Sequence, residues 1–525
     1  MTDKTPYYVT TAINYPNGKP HIGHAYEGIA ADVIARFRRA QGYDVRFQTG
    51  VDVHGLKMVK TARELDLEPA EFAAQMTPHF TEMCARYGIS YDRFISTSED
   101  ANHAAAQEIW RRMEARGDLY RDRYEGWYSV RDEAYYTEGE LLEGEGKAKL
   151  SPQGTPVEWT VEESWFFKLS EYQEKLLALY AERPEFIQPD SRRNELMRFV
   201  EGGLNDLSIS RTSFDWGVQV PGDASHVMYV WIDALTNYLS GLGFPDDADG
   251  LVAKYWPANV HLIGKDIVRF HAVYWPAFLM SAGIDLPHQV HAHGFILNRG
   301  QKESKSLGNV TDPIALVDRF GADAIRYFLM RDVSFGQDGS ISDEAIVTRA
   351  NADLSNSFGN LAQRSLSMIH KSLEGRLSND WQQSEADREL QTLVDAACGS
   401  ELPEAFERFA FAQGIEAWMR AVFACNQYVD EQAPWALKKT DPARMEAVLN
   451  QLFVSIRTLA IAIAPVIPDA AEKLLDQMGV DARSWTDLDG SNDWFAERVR
   501  SDVPLAKPEG IFPRLELEEV ADAGR

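Results

Sequence analysis

The first fifty residues alternate in a way that few folds accommodate. Tyr7–Tyr15 is an extended run rich in β-branched and aromatic side chains, broken by Pro16, Asn17 and Gly18. Ile29, Val33 and Phe37 then recur every four residues, marking one face of a helix that Gly42 closes. Val45–Thr49 is a second strand-like run. Strand, helix and strand in this order predict a right-handed βαβ crossover and a parallel sheet. From about Gly117 to Asp223 the texture changes to short aromatic runs separated by Gly, Pro and acidic residues, which predicts a small inserted module. The αβ texture then returns. Ser225–Leu239 leads into a helix, Val260–Gly264 reads as a short buried strand, and Ile267–Ala282 reads as a helix. From about Ile346 onward the pattern is helical, as in a helix bundle.

A chain of 525 residues accommodates about three domains. The 80 acidic against 53 basic residues give a net charge of −27, which disfavours indiscriminate polyanion binding and confines any nucleic-acid contact to a local basic surface. Cys84, Cys398 and Cys425 are far apart and form no C-x-x-C pair. A disulfide framework and a four-cysteine zinc site are thereby excluded, and a reducing compartment is expected. The N-terminus has no apolar signal-like region. The most apolar stretch, Phe453–Ile467, is interrupted by Arg457 and Pro465 and is expected to fall short of a membrane span. A soluble, cytoplasmic protein with no membrane partner is the expectation.

Two motifs carry phosphate chemistry. His21-Ile-Gly-His24 lies between the first strand and its helix, where backbone amides and the helix dipole favour anions. Two imidazoles three residues apart fall on one side of the first turn, and Gly23 leaves room for a base or ribose. Lys302-Glu-Ser304-Lys305-Ser, preceded by Arg299 and Gly300 and followed by Gly308, places two point charges on a Gly-flanked loop suited to a polyphosphate. A third constellation spaces Asn356, Asn360 and Arg364 by four, a helical stripe able to meet unpaired base edges. Pro434-Trp435 at a helix boundary would make a stacking platform.

These motifs resemble the two signatures of class I aminoacyl-tRNA synthetases, and nearly the whole chain resembles the methionyl-tRNA synthetase family. Ala12-Ile13-Asn14-Tyr15, Gly50-Val-Asp52-Val-His54-Gly, Tyr229-Val-Trp231-Ile-Asp-Ala234-Leu-Thr-Asn-Tyr238 and Gly264-Lys-Asp266-Ile-Val-Arg-Phe-His271 occur in the family's order. The resemblance implies an α/β, Rossmann-like parallel-sheet catalytic domain with an inserted connective module, followed by an all-α helix-bundle domain. It implies ATP-dependent activation of L-methionine and its transfer to tRNA(Met), with Mg²⁺ on the phosphates. His21, His24, Lys302 and Lys305 are implied catalytic residues, and Gly23 and Ser304 join them in ATP binding. Methionine binding is implied for Ile13, Tyr15, Asp52, Trp231, Ala234, Tyr238 and His271, a lining that suits a soft thioether against aromatic rings. Anticodon reading is implied for Asn356, Asn360, Arg364, Pro434 and Trp435.

On this reading residues 1–116 and 226–288 form the two halves of the nucleotide-binding domain and 117–225 the inserted module. Residues 289–345 form the lysine-loop and stem-contact region, and 346–525 the helical anticodon-binding domain with its tail. Three departures stand out. The module lacks the cysteine pairs with which many family members bind zinc, so it is expected to fold as a knuckle without structural zinc and to add no metal site. Glu303 replaces a usual Met, and Leu235 stands where some members have Pro. A C-terminal dimerisation domain is not found, so a monomer is expected. Two alternatives stay open: a class I synthetase for another amino acid, and a non-catalytic RNA-binding relative with an altered lysine loop.

Overall fold

The computed structural model describes residues 4–132, 134–144, 148–301, 310–488, 493–501 and 503–517. β1 (Pro6–Thr11), α1 (Ile22–Ala40) and β2 (Asp44–Val51) form the expected βαβ unit. β3 (Arg93–Ser96), β4 (Ile187–Gln188), β5 (Val260–Gly264) and β6 (Val290–His293) complete a six-stranded sheet. Its order is β3-β2-β1-β5-β6-β4, and every neighbouring pair is parallel. The order reverses direction between β1 and β5, and in open parallel sheets ligands bind beyond the carboxyl ends of strands at such a switch point. β1 ends at Thr11, short of the Tyr15 expected from the apolar run. Residues 12–15 leave the sheet and lie across its carboxyl edge, held by Ala12 N–H to Leu262 C=O (3.0 Å) and Asn14 N–H to Gly50 C=O (2.8 Å).

The inserted region is built on an antiparallel pair, Leu119–Ser129 with Glu158–Phe167. The chain nonetheless returns to the catalytic sheet inside 117–225, because β4 pairs with β6. A two-residue strand has no periodicity to read, so the sequence carries no sign of this return. At the tip of the module a hydroxyl–carboxylate knot joins the two turns. Asp132 Oδ2 accepts from Ser151 Oγ (2.6 Å), Thr155 Oγ1 (2.5 Å) and the Tyr136 hydroxyl (3.1 Å), and Ser129 Oγ lies 2.7 Å from Thr155 Oγ1. Among the described residues no group of three or more His, Cys, Asp or Glu is placed to hold a metal ion.

Beyond the module, α2 (Val230–Ser240) packs beneath the sheet's carboxyl edge. The helix expected over 267–282 is segmented, with a 3₁₀ turn at Lys265–Ile267, a π-helical turn at Phe270–Tyr274 and an α-helix only from Trp275. Past the sheet come α3 (Ala322–Asp332), α4 (Asn360–Ser372), α5 (Phe411–Gln432) and α6 (Pro442–Ile463). α6 begins well before Phe453 and is, by length and composition, long and apolar enough to cross a membrane, contrary to the sequence reading. With 94% of its most apolar window buried inside the protein, it is the core helix of the bundle.

One apolar core runs without a break from the sheet into the bundle, through Val9, Ile29, Phe37, Leu262, Tyr327, Trp418 and Phe453. Phe37 on α1 meets Phe406 and Trp485 of the helical part at 5.6 and 5.3 Å. A fully buried ion pair, Arg326 Nη2–Asp32 Oδ2 (2.7 Å), joins α3 to α1. The same guanidinium donates to the carbonyls of Tyr87, Pro465 and Val466.

Candidate active site

α1 opens at the sheet's carboxyl edge with its own histidines as caps. Gly23 N–H donates to His21 Nδ1, and His21 N–H donates to His24 Nδ1, both at 3.1 Å. An Nδ1 that accepts carries no hydrogen, so each ring holds its hydrogen on Nε2. The two rings stack at 3.8 Å, and no acidic side chain lies in the first turn to neutralise the helix N-terminus. Burial and the neighbouring His21 hold the His24 imidazole well below its ordinary pKa, so it donates as a neutral ring. A Cβ on Gly23 would sit 2.9 Å from the His21 ring. A side chain at this position would therefore crowd the His21 ring as well as anything bound above the turn.

The methionine-site candidates form a connected circuit. Tyr15 donates its hydroxyl hydrogen to the His54 carbonyl (2.8 Å), two residues past Asp52. Asp52 is buried at the end of β2, and its Oδ1 faces Thr97 Oγ1 at 3.3 Å. On α2, Trp231 stacks flat on Phe270 (3.8 Å, 5°), Ala234 is buried, and Tyr238 donates its hydroxyl to His271 Nε2 (2.7 Å). His271 Nδ1 faces the Ile267 carbonyl at 3.0 Å, which fixes the tautomer, and burial lowers its pKa to about 4. The ring is thus a neutral wall with both nitrogens occupied. Ile13 lies half-buried on the edge-crossing stretch beyond β1.

Lys302, Glu303, Ser304 and Lys305 lie outside the described residues. Their flanks are pinned: Asn298 Nδ2 reaches Thr311 Oγ1 at 3.1 Å, and the strand Ile296–Asn298 pairs with Gly339–Ile341. Arg299, expected near the phosphates, is engaged by the Glu344 carboxylate at 2.9 and 3.0 Å.

Some sixty residues past this loop, Asn356 and Asn360 are exposed. The segment Ala350–Gly359 is π-helical and becomes α-helical at Asn360, so Asn356 belongs to a wider turn than the spacing of four predicts. Arg364 lies 5.6 Å from the Trp435 ring and 3.1 Å from Asp430. Trp435 is 50% exposed and so is not a core residue, whereas Pro434 is buried.

The sequence reading did not single out Glu27, His293, Phe270 or Asp233. Glu27 on α1 and His293 at the end of β6 pair at 2.9 Å beside the signature histidines. Against the burial that lowers it, the Glu27 carboxylate raises the His293 pKa. Partners 266 residues apart leave no local signal. Phe270 and Asp233 stood inside quoted motifs, but only the packing gives them partners.

The model of the family described as tRNA synthetases class I (M) matches residues 7–146 and 145–366, and that of the anticodon binding domain of methionyl tRNA ligase matches residues 380–524. A methionine–tRNA ligase of Rhizobium meliloti (strain 1021) is 53% identical over 517 residues, 98% of this chain and 99% of the relative. One from Mycobacterium tuberculosis (strain ATCC 25618 / H37Rv) is 51% identical over 515 residues, 97% of this chain and 98% of the relative. The crystal structure of Mycobacterium tuberculosis methionyl-tRNA synthetase bound by methionyl-adenylate superimposes with a TM-score of 0.92 at 51% identity, covering 97% of this chain and 100% of that one. The free-state structure gives a TM-score of 0.86 at 49% identity, covering 98% and 99%. Sheet, signature helix and helical bundle together define a class I aminoacyl-tRNA synthetase. Within that class the chain belongs to the methionyl-tRNA synthetase family, the methionine–tRNA ligases.

Proposed function

We propose that this chain joins methionine to the 3′ end of tRNA(Met) in two steps at the carboxyl edge of the sheet. In the first, a methionine carboxylate oxygen attacks the ATP α-phosphorus. The bond to the bridging oxygen breaks, giving methionyl-adenylate and pyrophosphate. Mg²⁺ enters with ATP as part of the substrate. The reaction needs no side-chain nucleophile, because catalysis rests on positioning and on stabilising phosphoryl charge. His21 and His24 present Nε2–H donors at a helix N-terminus, and Lys302 and Lys305 add charge. Gly23 and Ser304 complete the ATP contacts. In the second step the 2′-hydroxyl of the terminal adenosine attacks the adenylate carbonyl, and AMP leaves.

Asp52 holds the substrate ammonium by a charge-assisted hydrogen bond. Tyr15, Trp231, Tyr238 and His271 line the thioether pocket, with Ile13 and Ala234 setting its width. Asn356, Asn360, Arg364, Pro434 and Trp435 read the anticodon. The chain works as a zinc-free monomer in the cytoplasm, with the domain limits given above except that Ile187–Gln188 belongs to the catalytic sheet.

The observation that carries this reading is the pair of stacked imidazoles that cap α1 through Nδ1, next to the aromatic circuit. Methionine-dependent ATP–pyrophosphate exchange tests it. Exchange with methionine and none with leucine or valine is the expected result. No exchange with any amino acid, together with retained tRNA binding, would instead identify a non-catalytic relative.

A further inference from the structure

Asp52 stands at the end of β2, while the side-chain pocket is carried by α2, nearly two hundred residues later. Two buried ties hold these elements together. His54 Nδ1 lies 2.6 Å from Asp233 Oδ2, and both side chains are almost fully buried. Asn102, wholly buried, donates from Nδ2 to both the Thr97 and the Asp233 carbonyls at 3.3 Å, and Thr97 Oγ1 in turn faces Asp52. The backbone around His54 is fixed by the Tyr15 hydroxyl on its carbonyl and by Trp216 Nε1 on the Val53 carbonyl (2.6 Å). The His54 amide faces Asp52 Oδ1 at 3.4 Å. Asp233 sits on α2 between Trp231 and Ala234, and among the described residues its Oδ1 has no hydrogen-bond partner.

We propose that His54 and Asp233 are positioning residues for the α-ammonium of the amino-acid substrate. Their hydrogen bond sets the distance between the Asp52 carboxylate and the pocket on α2, and so selects an unbranched side chain of one reach. Neither residue touches the substrate. The inference rests on the reading of Asp52 and α2 given above.

Burial pushes the Asp233 carboxyl well up and lowers His54 to about 4. Burial therefore opposes charge on both partners of this short contact. A second carboxylate behind Asp52 would compete for the ammonium, and a neutral pair does not. An unpaired buried carboxylate would also be costly, which accounts for the short contact.

The test uses steady-state exchange kinetics on the full chain. Asp233→Ala and His54→Ala should each raise the methionine KM about tenfold or more, with the ATP KM within about twofold, because misplacement of a binding group is felt at the group it positions. Asp233→Asn should recover most of the loss, since a carboxamide of the same size keeps a hydrogen bond to His54 Nδ1. The double variant should be no worse than the worse single one. An Asp233→Ala enzyme with an unchanged methionine KM would overturn the proposal. So would methionine and ATP KM values rising together with Asp233→Asn equally impaired, the pattern of a merely structural contact. Should Asp233→Ala not fold, His54→Gln carries the same comparison. Asp52→Asn separates the two levels. If it leaves methionine binding intact, the site reading itself fails. If it abolishes binding while Asp233→Ala does not impair it, the positioning role alone fails.

Discussion

Replacing His24 by asparagine or by glutamine separates two duties that one ring performs. Asparagine Oδ1 can take the place of Nδ1 and keep the cap on the His21 amide, but nothing then reaches the phosphate. Adenylate formation should fall about 10²–10³-fold, the loss of one transition-state donor worth about 2.7–4 kcal/mol, while the melting temperature holds. Glutamine should retain more activity and less stability. Equal losses in both variants would sink the division of labour. A second residue-scale expectation concerns acid. His291 is wedged between Phe335 and Phe409, and burial lowers it to about 3. Its ring is neutral in the folded chain but titrates near 6.5 when unfolded. The stability it contributes is complete above about pH 6.5 and is lost as pH falls toward 3. His54 and His271 act with the same sign, and His293, whose pKa is raised, with the opposite one. The melting temperature should therefore drop from pH 7.5 to 5, and His291→Phe should shrink that drop. An unchanged slope in the variant would remove His291 from the account.

At the scale of elements, the turns of the inserted module are joined by Asp132 and three hydroxyl groups. Elemental analysis of the purified protein should find no stoichiometric zinc, and chelators should leave the melting curve unmoved. Asp132→Ala strands three hydroxyl donors and should cost about 2–4 kcal/mol, read as lower resistance of the module to proteolysis. One zinc per chain would show the knot to be secondary. The elements also divide by what a sequence can announce. β5 was legible residue for residue, because Val260, Leu262, Ile263 and Gly264, interrupted only by His261, have no other use in an αβ texture. The π-helical turns at Phe270–Tyr274 and Ala350–Gly359 were not, since an i→i+5 ladder leaves no characteristic composition. The candidate site was legible as four ordered segments, but its internal wiring was not. The contact of His54 with Asp233 spans 179 residues, and no local pattern encodes which of several buried polar groups will meet.

Over the whole molecule, the proposed reader and the proposed charging site belong to one body with a continuous apolar core. Trp435→Ala should lower aminoacylation kcat/KM by about 10- to 100-fold, the worth of one stacked base at ~1–3 kcal/mol, with methionine-dependent exchange and thermal stability intact. Parallel loss of all three would mean that the half-exposed ring has a packing role after all. The body is continuous in a specific sense. The back of α1, whose first turn carries the signature histidines, is covered by Phe406 and Trp485 from the helical part, and Asp32 on the same helix is neutralised by Arg326. A gene cut between the sheet and the bundle would release a first half with a wet aromatic face on α1, and a second half whose Phe406 and Trp485 had lost their cover. Domain shuffling is therefore closed to this architecture at that junction. A lineage that needed a new anticodon reader would have to rewrite the exposed side chains of the old one in place.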